Sequence, residues 1–299
     1  MLQCARVSPT HLNFSFMSNC VSCGIQLPAA SWGKSGDVCV DCRRMAAQSA
    51  VLSPDGVVQP QPVRVRATAS SLRLSVTTVL VGINVAVFVA MALSGVPILE
   101  PNLQQLVKWG ANWGPLSLGS QPWRVLTSNY EHIGIIHIFF NMWCLLSLGA
   151  LAERVFDRWT YVFVYTASGL AGSLASLWRH PMVVGAGASG AIFGLAGALL
   201  AALYLGKLPI PRAALKSTMK SLVMFAGYNL FFGLVPGIDN SAHIGGLVGG
   251  AALGAFFSGH LTAAPEERQR WRTYAIIGTG AIFAIAFEML RKRYASLAR

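Results

Sequence analysis

Ser189 sits in the run Gly187-Ala188-Ser189-Gly190, and His243 sits in Ala242-His243-Ile244-Gly245-Gly246, each at the head of an uncharged apolar stretch. A serine hydroxyl is a weak nucleophile until a base takes its proton, and an imidazole is the side chain best suited to that task near neutral pH. Polar groups in hydrocarbon cost roughly a few kcal/mol each, so they are retained mainly where they line a wet cavity and perform a task. A nucleophile and a base in apolar segments therefore point to acyl-transfer chemistry inside a bilayer. His137 and Asn141 are four residues apart and share one helical face. Both can donate hydrogen bonds, which suits stabilisation of a developing oxyanion, a task in which each donor commonly contributes on the order of 3–4 kcal/mol. Asp239 precedes His243 by four residues; an acid at a helix start is better read as a cap than as a third catalytic member.

The elements that must position these groups follow from composition. Of 299 residues, 54% are hydrophobic and only 11% charged, against roughly 25% charged in soluble domains. Apolar stretches suited to spanning lie near 74–94, 133–152, 159–178, 186–206, 221–238, 241–259 and 273–290, each close to the roughly 20 residues that cross a hydrocarbon core. The last is weakened by Glu288 within it. The net charge of +12 gathers at the ends of these stretches, which fits lipid orientation, and nucleic-acid binding by the main domain is not expected. Lys and Arg place Arg64, Arg66, Arg73, Arg154, Arg158, Lys207, Arg212, Lys216, Lys220, Arg268, Arg270 and Arg272 on one side with the N-terminus, and leave Lys108, Arg124 and Arg179 outside. A seventh span puts Arg291, Lys292 and Arg293 outside as well, against the rule. Residues 1–19 hold no apolar core of signal-peptide length, so a cytoplasmic N-terminus is expected. In the fourth and sixth spans, Gly190, Gly194 and Ala198 and then Gly246, Gly250 and Gly254 recur at four-residue spacing. Such faces let backbones approach, and taken alone each is also a plain packing motif.

Ahead of the first span the organisation changes. Cys20-x2-Cys23 and Cys39-x2-Cys42, flanking residues 24–38, have ribbon-type spacing, and four thiolates suit a closed, structural Zn²⁺ site. A segment this short has little core without the metal. Cys4 and Cys144 have no partner pattern. The expected organisation is an extension over 1–19, a zinc-ribbon-like head over 20–45, a flexible Pro-containing linker over 46–71, a transmembrane domain over 72–260, and a seventh span with a basic tail over 261–299.

Taken together, Gln121-Pro122-Trp123-Arg124, His132, His137-x3-Asn141, Glu153, Gly187-Ala188-Ser189-Gly190 and Ala242-His243-x2-Gly246-x3-Gly250 resemble the rhomboid family of intramembrane serine proteases over about residues 74–260. The resemblance implies an all-α polytopic membrane protein with a six-helix bundle, to which a seventh C-terminal helix and the small zinc ribbon are added here. It implies a Ser–His dyad with no catalytic cofactor: Ser189 as nucleophile, His243 as general base and acid, and His137, Asn141 and the Ser189 N–H as the oxyanion hole. It also implies that Trp123 and Arg124 belong to a loop resting in the outer leaflet and that Phe193 stacks on the catalytic histidine. Glu131 departs from the apolar residue usual at its place, and Glu153 is followed by Arg154 rather than having its basic partner two residues on. The substrates implied are transmembrane proteins with helix-weakening residues near the outer end of a span, met in the lipids of a bacterial inner membrane. Two other classes remain: a non-catalytic scaffold that binds transmembrane helices, whose relatives typically lack the serine or the histidine, and a transporter, which would be expected to show intramembrane carboxylates or inverted repeats.

Overall fold

Residues 75–235 and 237–297 are described by the computed structural model. The candidate zinc ligands Cys20, Cys23, Cys39 and Cys42, with the extension and linker around them, lie outside the described residues. Among the described residues there is no strand, only one antiparallel bridge between Asn112 and Gly185, and no cluster of metal-ligating side chains.

The first long helix, α1 (Val76–Leu93), starts at Ser75, whose hydroxyl accepts from the Thr78 N–H at 3.1 Å. Its second residue, Thr77, gives both its N–H and its hydroxyl to Glu153 Oε1, at 2.8 and 2.9 Å. Glu153 thus caps a helix 76 positions before it, and an anionic group is favoured at that positive end. Apolar residues on the rest of α1, among them Val79, Ile83 and Val89, are exposed, as suits a lipid-facing helix.

The stretch from 95 to 134 is built from short helices: α2 (Leu103–Trp109), α3 (Gly114–Ser117) and α4 (Arg124–Thr127). Asn102 and Gln105 form a reciprocal capping box on α2. Gly134, at φ +84°, then turns the chain into α5 (Ile135–Val155), and a Cβ there would press on the Leu99 carbonyl. Next come α6 (Arg158–Arg179), capped by Asp157, and α7 (Ser189–Leu205), whose residues from Gly190 to Leu199 are all buried. The sequence ends with α8 (Arg212–Phe232), α9 (Asn240–Ser258) and α10 (Pro265–Leu297).

Packing centres on α7, held between α6 and α9, with α5 against α7 and α1 against α5. Gly246, Gly250 and Gly254 of α9 meet the backbone of Gly190, Gly194 and Ala198 on α7 so closely that a Cβ at any of the three would collide with the facing carbonyl. Without a hydrophobic drive between helices in lipid, such contact supplies the dispersion energy that joins them. By contrast, α8 buries only Leu222 and Ala226.

One expectation needs correction. The fifth helix begins at Arg212 rather than near 221, so Lys216 and Lys220 ride on α8 as exposed side chains instead of lying in a loop. Ala, Leu, Lys and Met are strong helix formers, and they continue the helix beyond the apolar window. Four described helices, α1, α5, α9 and α10, are long and apolar enough to cross a membrane, and α7 is a shorter apolar helix. Hydropathy alone does not add α6, rich in Ser, Thr and Gly, or α8 to that set.

Candidate active site

Ser189 is the first residue of α7, and Gly187 before it has φ +139°. That left-handed-side backbone brings the chain hard against His137: a Cβ on Gly187 would stand 2.6 Å from the imidazole Cε1. The Gly187 N–H donates to the Ser128 carbonyl at 2.8 Å, and Asn112 pairs with Gly185 through both backbone bonds, so the entry to α7 is fixed by the 95–134 segment. As the leading residue of a helix, Ser189 has a backbone N–H with no carbonyl one turn earlier to engage it.

From the neighbouring helix, His243 directs Nε2 to Ser189 Oγ at 3.0 Å. Its Nδ1 lies 3.2 Å from Asn240 Oδ1, and its ring stacks on Phe193 with centroids 4.4 Å apart and an interplanar angle of 13°. The imidazole is 8% exposed, while Ser189 is partly open. Asp239 spends its carboxylate on the Ser241 and Ala242 N–H groups at 2.9 and 3.2 Å, the cap geometry expected of it. Gly246 lies one turn after His243 and touches Gly190, which is what lets α9 come near enough for the imidazole to reach the serine.

The two candidate oxyanion donors differ. His137 Nδ1 accepts from the Ile133 N–H at 3.3 Å, so its proton resides on Nε2, against Gly187 and toward the head of α7. Asn141 is buried, and one amide N–H returns to the His137 carbonyl at 2.9 Å, leaving the other N–H as a donor.

Trp123 and Arg124 divide in a way that the sequence did not anticipate. Trp123 is 47% exposed, as an interface residue would be, whereas Arg124 is 4% exposed and faces the protein. Its guanidinium donates to the carbonyls of Val107 and Ala111 at 2.5 and 3.1 Å and to Gln121 Oε1 at 2.7 Å, and lies over the Trp123 ring 4.8 Å from its centroid. Arg124 thus ties together the helical segment rather than resting among headgroups. Burial lowers its pKa, and nearby Glu131 opposes that shift. Glu131 and His132 are both almost fully buried, and neither side chain has a hydrogen-bond partner. Burial pushes the Glu131 carboxyl up to about 8, against the pull of Arg124. The His132 imidazole, edge-on to His137 at 5.3 Å, is lowered to about 3 by burial first and by His137 second.

The residue overlooked in the sequence is Asn240. Its spacing of three from His243 within a helix was the available signal. The arrangement offers acid–base and nucleophilic chemistry from an alcohol, imidazoles and amides.

Residues 119–260, which contain Ser189, His243, Asn240, His137 and Asn141, match the family described as the Rhomboid domain. Among curated relatives, the chain is 38% identical over 183 residues to Rhomboid protease GluP of Bacillus subtilis (strain 168), covering 60% of this chain and 34% of that protein. It is 36% identical over 174 residues to RHOMBOID-like protein 7 of Arabidopsis thaliana, covering 58% and 55%. It is 31% identical over 202 residues to Rhomboid protease AarA of Providencia stuartii, covering 60% of this chain and 71% of that one. The chain therefore spans about a third to a half of the lengths of the first two and most of the third. With that extent of similarity to AarA, and a domain match enclosing the serine and histidine motifs, the chain is a membrane protein that belongs to the rhomboid family.

Proposed function

We propose that this chain is an intramembrane serine endopeptidase that hydrolyses peptide bonds in or near transmembrane segments of other membrane proteins. The observation that carries the reading is the 3.0 Å approach of His243 Nε2 to Ser189 Oγ, with the ring held by Phe193. His243 takes the Ser189 proton as Oγ attacks the scissile carbonyl, and the tetrahedral oxyanion meets the Ser189 N–H, His137 Nε2–H and the free Asn141 N–H. The proton then passes from Nε2 to the departing amine as the C–N bond breaks. Water, deprotonated by His243, hydrolyses the acyl-enzyme and restores the serine. No catalytic cofactor is required. Seven spans, a cytoplasmic N-terminus in a bacterial inner membrane, and a structural zinc site at Cys20, Cys23, Cys39 and Cys42 complete the proposal. Substrate helices would unwind locally before attack, since an intact helix shields its peptide bonds.

The test reconstitutes the full chain with a single-span substrate beside Ser189→Ala and His243→Ala. Cleavage by the parent alone is expected. Equal cleavage by all three, or none by the parent across several substrates, would favour the scaffold reading.

A further inference from the structure

We propose that Asn240 is a positioning residue that locks His243 in the tautomer able to accept the Ser189 proton, and that the Leu230 carbonyl at the end of α8 decides which way Asn240 faces. The inference rests on reading Ser189 and His243 as the reacting pair.

An asparagine amide offers an oxygen and an NH2 of nearly equal shape, and its contacts decide which end points where. On one side of Asn240 stands the Leu230 carbonyl, 3.0 Å from Nδ2. A carbonyl can only accept, so that end is the NH2. The opposite end, Oδ1, can only accept, and it lies 3.2 Å from His243 Nδ1. Nδ1 therefore carries the proton. A neutral imidazole has one, so Nε2 presents a bare lone pair to Ser189 Oγ at 3.0 Å. In the opposite tautomer, two lone pairs would face each other at Asn240, and Nε2–H would donate to a serine that it must deprotonate.

The surroundings are shaped to this purpose. Leu230 lies in the last turn of α8, where carbonyls lack intrahelical partners and are free to accept. Gly233, the C-cap of α8, has the Asn240 amide where its own Cβ would be. Asp239 Oδ1 accepts from two backbone N–H groups, and Asp239 makes no hydrogen bond to the His243 ring, on which it acts only through its charge. The titratable groups acting on His243 are Asp239 on its own helix and His137 on α5. The chain of contacts thus runs from α8 through α9 to α7, so the orientation of the base depends on where α8 ends.

The experiment uses ¹⁵N-histidine spectra of the full chain in lipid, with His243 assigned by the signal lost in His243→Gln, alongside steady-state cleavage. The parent is expected to show the Nδ1–H tautomer. Asn240→Ala, and Gly233→Ala with Asn240 intact, should both shift His243 toward Nε2–H. Each should lower kcat on the order of tenfold with little change in KM, below the 10²–10⁴ that losing a general base costs. Asn240→Asp keeps an acceptor at Nδ1 and guards against simple loss of fold; it should hold the tautomer and move the acidic limb of the pH profile upward, because an anion beside the ring favours imidazolium. An Nε2–H tautomer in the parent, or an unchanged tautomer and pH profile in Asn240→Ala, would overturn the proposal. The spectra decide this irrespective of cleavage, whereas equal activity of parent and Ser189→Ala would count against the protease reading alone.

Discussion

Ser189, His243 and Phe193 form a stack in which each side chain limits the freedom of the next. Phe193 offers a flat face without a hydroxyl, so its contribution is to hold the imidazole plane. Phe193→Leu should preserve the fold yet lower kcat several-fold, while Phe193→Tyr should retain near-parent rates, as steady-state cleavage would show. Glu131 and His132 lead to a prediction about stability. Glu131 holds its proton up to about 8 in the fold, against an ordinary 4.5, so the folded state binds more protons than the unfolded one between those values and stability falls as pH rises through them. His132 stays neutral down to about 3 against an ordinary 6.5, so the unfolded state binds more protons below 6.5 and stability falls as pH drops toward 3. The two trends oppose between 4.5 and 6.5, and outside that window only one acts. Thermal unfolding in detergent should show a broad maximum there, and Glu131→Gln should remove the decline on the alkaline side.

At the scale of elements, α9 reaches α7 through glycine, and the closeness of that contact sets the reach of His243. Gly250→Val places its branches into the Gly194 backbone, and forcing them in costs about 1–3 kcal/mol or more. The expected outcome is lost activity together with a lower unfolding temperature, although the substitution is about a turn beyond the histidine's nearest glycine contact. Arg124 acts on a different element. It holds α2, the 110–112 turn and α4 together through carbonyls that have little water to fall back on. Arg124→Met leaves those acceptors unpaired, at about 1–3 kcal/mol for each buried group so stranded. Limited proteolysis should then cut within 95–134 at lower protease concentrations than in the parent. Arg124→Lys should not restore resistance, because a point charge cannot reproduce the guanidinium fork.

For the whole molecule, α10 is a strap along α6. Arg272 pairs with Asp157 at 3.1 Å near the start of α6, and Arg293 donates to the Trp178 carbonyl at 3.2 Å near its end, with the guanidinium 4.2 Å over the Trp178 ring. The two helices therefore run parallel over the same height. Leu290 joins Leu118, Val125, Leu174 and Leu177 in a small buried cluster, so the strap also touches the segment that supports the site. Arg293 thus has a local partner at the end of α6 far from Asp157. The Asp157 carboxyl, which burial alone would raise, is held below its usual range by Thr160 and Arg272. Removing residues 265–299 should lower the unfolding temperature while leaving measurable cleavage, since the strap contributes no atom to the Ser189–His243 contact.

From the chain of residues alone came the helical class, the apolar segments, the paired glycine faces and the candidate nucleophile, base and oxyanion donors. These are legible because hydropathy runs, four-residue spacing and reactive side chains are local properties. The cap role of Asp239 was legible for the same reason. What the tertiary structure decided concerns partners distant in sequence: Glu153 on Thr77, Arg124 turned inward onto Val107 and Ala111, Gly187 against His137, and Leu230 setting Asn240. A pattern shows that a side chain is polar or apolar, but only the folded chain fixes which atom lies 3 Å from it. Hydrogen-bond direction, tautomer and proton affinity depend on that atom.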